Sequence, residues 1–220
     1  MPSYVFVWEN NTFGHSKVKG RTWPGHSSIN ISKEFWGSDE AAMAKNYASF
    51  WPSKSADFGV IGALFSKKQK GDSNTTFEDD IYAEGYLPDH VIEMPTDGAK
   101  ERLMLASWLT ILLKKGGSNY RTLRKNCSTV VSRILHAGGY HAKKWAVDCN
   151  FAWSPADIKN LAVAAGGTLM TWDAFCVVYK ASFMRLQDLT NSKGQQVTWA
   201  RDSALCSTGA PCRFNNGKKS

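Results

Sequence analysis

Several features that would place this chain quickly are missing. Its five cysteines, at positions 127, 149, 176, 206 and 212, form no Cys-x-x-Cys pair and no zinc spacing, which argues against zinc ribbons and dithiol redox motifs. Long apolar runs are absent too. The longest, Leu103 to Leu113, is eleven residues, bracketed by Lys100, Glu101 and Arg102 on one side and Lys114 and Lys115 on the other. A membrane-spanning helix needs about 20 apolar residues, so no transmembrane segment is expected. The run reads instead as a buried core helix ended by Gly116-Gly117. No secretory signal is expected, because Met1-Pro-Ser-Tyr-Val-Phe-Val-Trp8 is strand-like and lacks a basic n-region and a cleavage site. Internal repeats and a clear linker are also lacking. Residues 1–220 are therefore expected to form one domain, with a core over about 4–180 and a polar tail from Asn191 to Ser220. No nucleic-acid-binding motif is present and basic residues are scattered among acids, so no nucleic-acid partner is expected.

What is present is a large apolar and aromatic content. The hydrophobic fraction is 43%, with 9 Trp, 11 Phe and 7 Tyr, enough for a sizeable core. The net charge of +8 suits an anionic polymer such as a bacterial cell wall, or an anionic lipid headgroup, and equally suits a merely soluble surface.

Strands are expected at Tyr4–Trp8, His26–Ile31 and Asn46–Trp51, joined as a meander, and again at His90–Met94, Thr168–Trp172 and Phe175–Tyr179. Asn10–Gly25 and Ser66–Asp80 read as loops, and Ser38–Ala44 as a short helix or loop. Helices are expected from Thr96 or Asp97 to Lys115, from Cys127 to Ala137 between an Asn126 cap and Gly138-Gly139, and from Ser154-Pro155 to Ala165. The fold class is α+β, an antiparallel sheet packed against helices.

Cys127 opens the second of these helices. Val130, Val131, Ile134 and Leu135 recur at helical spacing, so one face of it is buried. A thiol in the first turn feels the positive end of the helix dipole, which favours the nucleophilic thiolate, and Arg121, Arg124 and Lys125 add to that field. The bland alternative is a small core residue, the commonest state of a free cysteine. A nucleophile needs a base, and there are five histidines. His136 and His141 fall at the far end of the same helix, His15 sits in a polar loop, and His90 opens a later strand. His26, after Pro24-Gly25 at a strand start, is the best placed to project over a helix N-terminus. Cys206 and Cys212 flank a turn-like Ser-Thr-Gly-Ala-Pro spacer that would allow a small disulfide.

The order of Gly25-His26-Ser-Ser-Ile, then Ser49-Phe-Trp-Pro52, a long helix, and Asn126-Cys127-Ser128 resembles the circularly permuted papain-like hydrolases. That group includes NlpC-type peptidoglycan amidases and endopeptidases, and lecithin retinol acyltransferase-like enzymes. The likeness is nearest to bacterial hydrolase effectors of type VI secretion and covers about residues 4–165. The resemblance implies Cys127 as nucleophile, His26 as general base and Ser49 as orienting residue, with Asn30 as an alternative for that third place. It implies an oxyanion hole at the Cys127 backbone N–H, with Tyr120 as a second donor, while Asn126 supports the site or simply caps the helix. No metal or cofactor is required. The implied protein is an antibacterial effector acting on peptidoglycan or another envelope substrate in the target-cell periplasm. It would leave its own cell without a signal peptide, through a secretion apparatus, and would be held in check by a cognate immunity protein. A cytoplasmic enzyme is the alternative location. Two rival functions remain: a lipid-directed thiol acyltransferase or phospholipase on the same fold, and a non-enzymatic basic binding module with Cys127 in its core.

Overall fold

A computed structural model describes residues 2–9, 25–31, 46–52, 69–72, 76–84, 87–113, 119–120, 125–171 and 174–175. Its centre is β1 (Pro2–Trp8), six of whose seven residues are buried. β1 pairs antiparallel with β2 (His26–Asn30) on one side and with β6 (His90–Pro95) on the other. β3 (Tyr47–Ala48) and β8 (Thr168–Met170) complete a five-stranded sheet in the order β3-β2-β1-β6-β8. A smaller sheet joins β4 (Trp51–Pro52), β5 (Gln69–Asp72) and β7 (Asn119–Tyr120). The expected β1-β2-β3 meander is formed. With the helices below, the molecule is α+β.

Alternation along β1 divides the core in two. Val5 and Val7, with Ile29 from β2 and Ile92 and Met94 from β6, face the helices. Tyr4, Phe6 and Trp8 point to the opposite face. There Phe6 stacks on Phe77 with ring centroids 4.3 Å apart and meets Phe175 edge-on at 5.6 Å. Phe77 and Ile81 come from α1 (Phe77–Glu84), which covers this aromatic face, and both are fully buried.

On the other face α3 (Cys127–Ala137) lies against β2, α5 (Pro155–Ala164) against β1 and β6, and α2 (Gly98–Leu113) against α3. α3 begins where expected, because Asn126 Oδ1 accepts from the Thr129 N–H at 2.7 Å. Past its end, Gly139 takes φ +78°, a left-handed conformation that favours glycine. α5 starts with Ser154 and Asp157 capping each other and Pro155 in the first turn. The short α4 (Trp145–Asp148) lies between α3 and α5.

Four expectations are corrected. Asn46–Trp51 is not one strand: β3 stays with the large sheet, Phe50 turns into the helix-side core, and β4 pairs with β5. Ser66–Asp80 is not a loop throughout, since it contains β5 and the first turn of α1, with Asp79 and Asp80 buried. α2 is not buried all round. Met104, Trp108 and Ile111 form its inward stripe, while Leu103, Leu109 and Leu113 are exposed, because only the side facing α3 is covered. Phe175, expected to open a strand, makes a helical hydrogen bond to the Thr171 carbonyl at 3.0 Å. The loop expected at Asn10–Gly25 (apart from Gly25), the segment Ser38–Ala44 and the tail from Asn191 lie outside the described residues. Among the described residues no helix is long and apolar enough to cross a membrane.

Candidate active site

The N-terminus of α3 and the start of β2 meet beside the aromatic face. Gly25, at φ +76°, turns the chain into β2 so that His26 is its first residue. The imidazole is fully enclosed between two indoles. Trp51 stacks on it at 4.2 Å with planes 20° apart, and Trp8 lies 5.5 Å away. Cys127, the first residue of α3, is buried. Ser128 Oγ lies 3.9 Å from its sulfur, and the His26 side chain and the Ser27 N–H act on it electrostatically. Ser128 in turn bonds to Ser27 Oγ at 3.0 Å, tying α3 to β2.

Behind His26 sits Asp80, from α1, with no exposed surface. His26 Nε2 is 3.1 Å from Asp80 Oδ2 and 3.1 Å from Ser49 Oγ. Ser49 donates to Asp80 Oδ1 at 2.7 Å, as does Trp51 Nε1, and the Tyr47 hydroxyl donates to Oδ2. One carboxylate thus gathers four side-chain donors. A buried ion tolerates such a position only when it is paired and hydrogen-bonded.

The charges follow from this packing. Burial alone would raise the Asp80 pKa, but the charge of His26 and the surrounding donors hold it below the usual carboxylate value. Burial would lower His26, yet the charges of Asp80 and Cys127 raise it to about 10. Burial would raise Cys127, and His26, Ser27 N–H and Ser128 bring it below an ordinary thiol. The direction for the pair is thiolate with imidazolium, stabilised by a carboxylate behind.

The structure brings together Cys127, His26 and Ser49 of the residues singled out from sequence. Asn126 is engaged at both ends of its amide: Oδ1 caps Thr129, and Nδ2 donates to the Trp153 carbonyl at 2.8 Å. The Tyr120 backbone pairs with Gln69, and its side chain lies outside the described residues. Asn30 is at the opposite end of β2 from His26, paired with Tyr4 and Tyr47. His90 faces Glu9 at 3.2 Å. His15, Cys176, Cys206 and Cys212 lie outside the described residues.

Asp80 escaped the sequence reading, although a signal for its helix was present. Thr76-Phe-Glu-Asp79 is a reciprocal cap: the Asp79 N–H donates to Thr76 Oγ1 at 3.1 Å and the Thr76 N–H to Asp79 Oδ2 at 3.2 Å. Phe77 and Ile81, four apart, supply the buried stripe. Comparison with protein families, curated proteins and solved structures finds no match for this chain.

Proposed function

We propose that this chain is a cysteine hydrolase of permuted papain-like fold that cleaves an amide bond of peptidoglycan, as an amidase or endopeptidase, and serves as an antibacterial effector. The observation that carries the reading is the line Cys127–His26–Asp80, a thiol at a helix N-terminus, an imidazole and a buried carboxylate. Its parts fit the roles of nucleophile, base and orienting group.

With Nε2 turned to Asp80, Nδ1 of His26 is left for the sulfur. The Cys127 thiolate attacks the carbonyl carbon and the π electrons move to oxygen. The Cys127 backbone N–H and the positive end of α3 stabilise that oxyanion. The tetrahedral intermediate collapses, the C–N bond breaks, and the His26 imidazolium gives its proton to the leaving amine. Water, losing a proton to His26, then attacks the thioester and releases acid and free thiol. Asp80 keeps the ring oriented and its charge compensated, and Ser49 bridges Asp80 and the ring. The +8 net charge suits an anionic wall. Delivery through a secretion apparatus, action in the target-cell periplasm and neutralisation by an immunity protein belong to the same proposal.

The test is expression in a bacterium with an added periplasmic signal, beside a cytoplasmic form and a Cys127→Ala form. Lysis confined to the periplasmic form and lost in Cys127→Ala is the expected result. Toxicity that survives Cys127→Ala, or none in either compartment, overturns the proposal. A lipid-directed hydrolase is the second reading, favoured by the exposed Leu103, Leu109 and Leu113 of α2. Released fatty acids, with no new amine ends in the wall, would decide for it.

A further inference from the structure

A second polar cluster lies at the other end of the nucleophile helix. His136 is in the last turn of α3, His141 follows the Gly138-Gly139 turn, and Asp148 ends α4. His136 Nε2 is 3.2 Å from Asp148 Oδ1, and His141 Nδ1 is 3.1 Å from Asp148 Oδ2. One ligand atom from each of the three residues falls within 4.8 Å of the others. We propose that His136, His141 and Asp148 bind a divalent transition-metal ion, zinc foremost, which clasps the end of α3 to the segment leading into α5.

The separations suit such an ion. Zinc–nitrogen and zinc–carboxylate bonds of about 2.0–2.2 Å place neighbouring ligands of a tetrahedron roughly 3.3–3.6 Å apart. The two rings are parallel, so binding would require them to rotate out of their stack until both imidazole nitrogens aim at one ion beside the Asp148 carboxylate. Two imidazoles and a carboxylate form a borderline donor set that favours zinc over calcium or magnesium. The fourth position would hold water.

Nor is the cluster explained well by ion pairing. The two imidazole rings are stacked, 4.7 Å apart with planes 4° from parallel, so charging both sets like charges face to face. His136 Nε2 is buried and has no aligned hydrogen-bond partner, although Asp148 lies beside it. A metal ion satisfies that nitrogen, the second imidazole and the carboxylate at once. The cluster is also braced from outside. Asp148 Oδ1 accepts the Ala142 N–H at 2.7 Å, and Trp153 packs edge-on against His136 at 5.9 Å, the kind of support that orients metal ligands. His136 is nine residues after Cys127, about 13 Å along the helix at 1.5 Å per residue, so the site is structural and separate from the thiol.

The experiment uses the full chain in a Cys127→Ala background, stripped with chelator. It is titrated calorimetrically with zinc sulfate and followed by thermal unfolding. Expected are one zinc per chain and a Tm rise of about 5–10 °C at a hundredfold excess over Kd. His141→Ala and Asp148→Asn should each weaken binding by roughly 10–100-fold or more, the loss typical even for outer-shell ligand partners. The exposed His141 and the isosteric Asp148→Asn make both variants compatible with folding. Cobalt added in place of zinc should give a visible spectrum without thiolate charge transfer. No stoichiometric binding in the parent, binding unchanged in both variants, or a thiolate band with cobalt would each overturn the proposal.

Discussion

A carboxylate with no exposed surface is costly to keep ionised, and Asp80 is kept so by His26, Ser49, Trp51 and Tyr47. Removing that one charge should loosen the whole proton arrangement. In Asp80→Asn the support for the imidazolium is lost, so the His26 pKa falls and the Cys127 pKa climbs towards the free value of about 8.5. The wild-type thiol should react with iodoacetamide well below that pH, because its own pKa is lowered while His26 stays protonated up to about 10. Rates of Cys127 alkylation across pH, read on the isolated peptide by mass spectrometry, should show the inflection move upward in the variant. Hydrolysis should fall by roughly 10²–10⁴-fold, the usual range for losing acid–base assistance. An unmoved inflection would remove Asp80 from the site. The positions of Cys127 at a helix start and His26 at a strand start were legible because such signals are local. Asp80 lies 54 residues from His26 in sequence, and no local pattern joins the two.

At the scale of elements, helix ends were the most legible features. Asn126 and Ser154 cap α3 and α5 through hydrogen bonds to residues only three positions on. Close contacts between elements were not legible. Gly167 leads into β8 where an added Cβ would stand 2.5 Å from Met94 Sδ, 2.6 Å from Ile92 Cγ2 and 2.8 Å from the Ala162 carbonyl. Gly167→Ala should therefore push β8 and α5 apart and destabilise the chain by about 1–3 kcal/mol. A lower urea midpoint with an unchanged slope is the expected reading, and an unshifted midpoint would show that the neighbours simply give way. α2 shows the same limit differently. Its apolar run extends beyond the stripe of Met104, Trp108 and Ile111, and composition alone could not tell which face met α3.

Across the whole molecule, the charge of +8 acts at long range on an anionic polymer and hardly at all on a small neutral amide. Hydrolysis of intact wall should fall several-fold between about 0.05 and 0.5 M salt, as the screening length contracts below ~8 Å. Cleavage of a neutral stem-peptide fragment should change little over the same range. Equal salt dependence for both substrates would mean that the charge has no part in substrate capture. By itself the sequence determined the alternation of strands and helices, the limits of α3 and the α+β class. Each of those depends on residues within a turn or two of one another, or on the period of apolar positions. The tertiary structure alone decided that Asp80 is buried against His26, that Ser49 shares its carboxylate, and that His136, His141 and Asp148 converge. Those contacts depend on which faces the sheet and helices bury against each other, a collective outcome of packing that no single segment encodes.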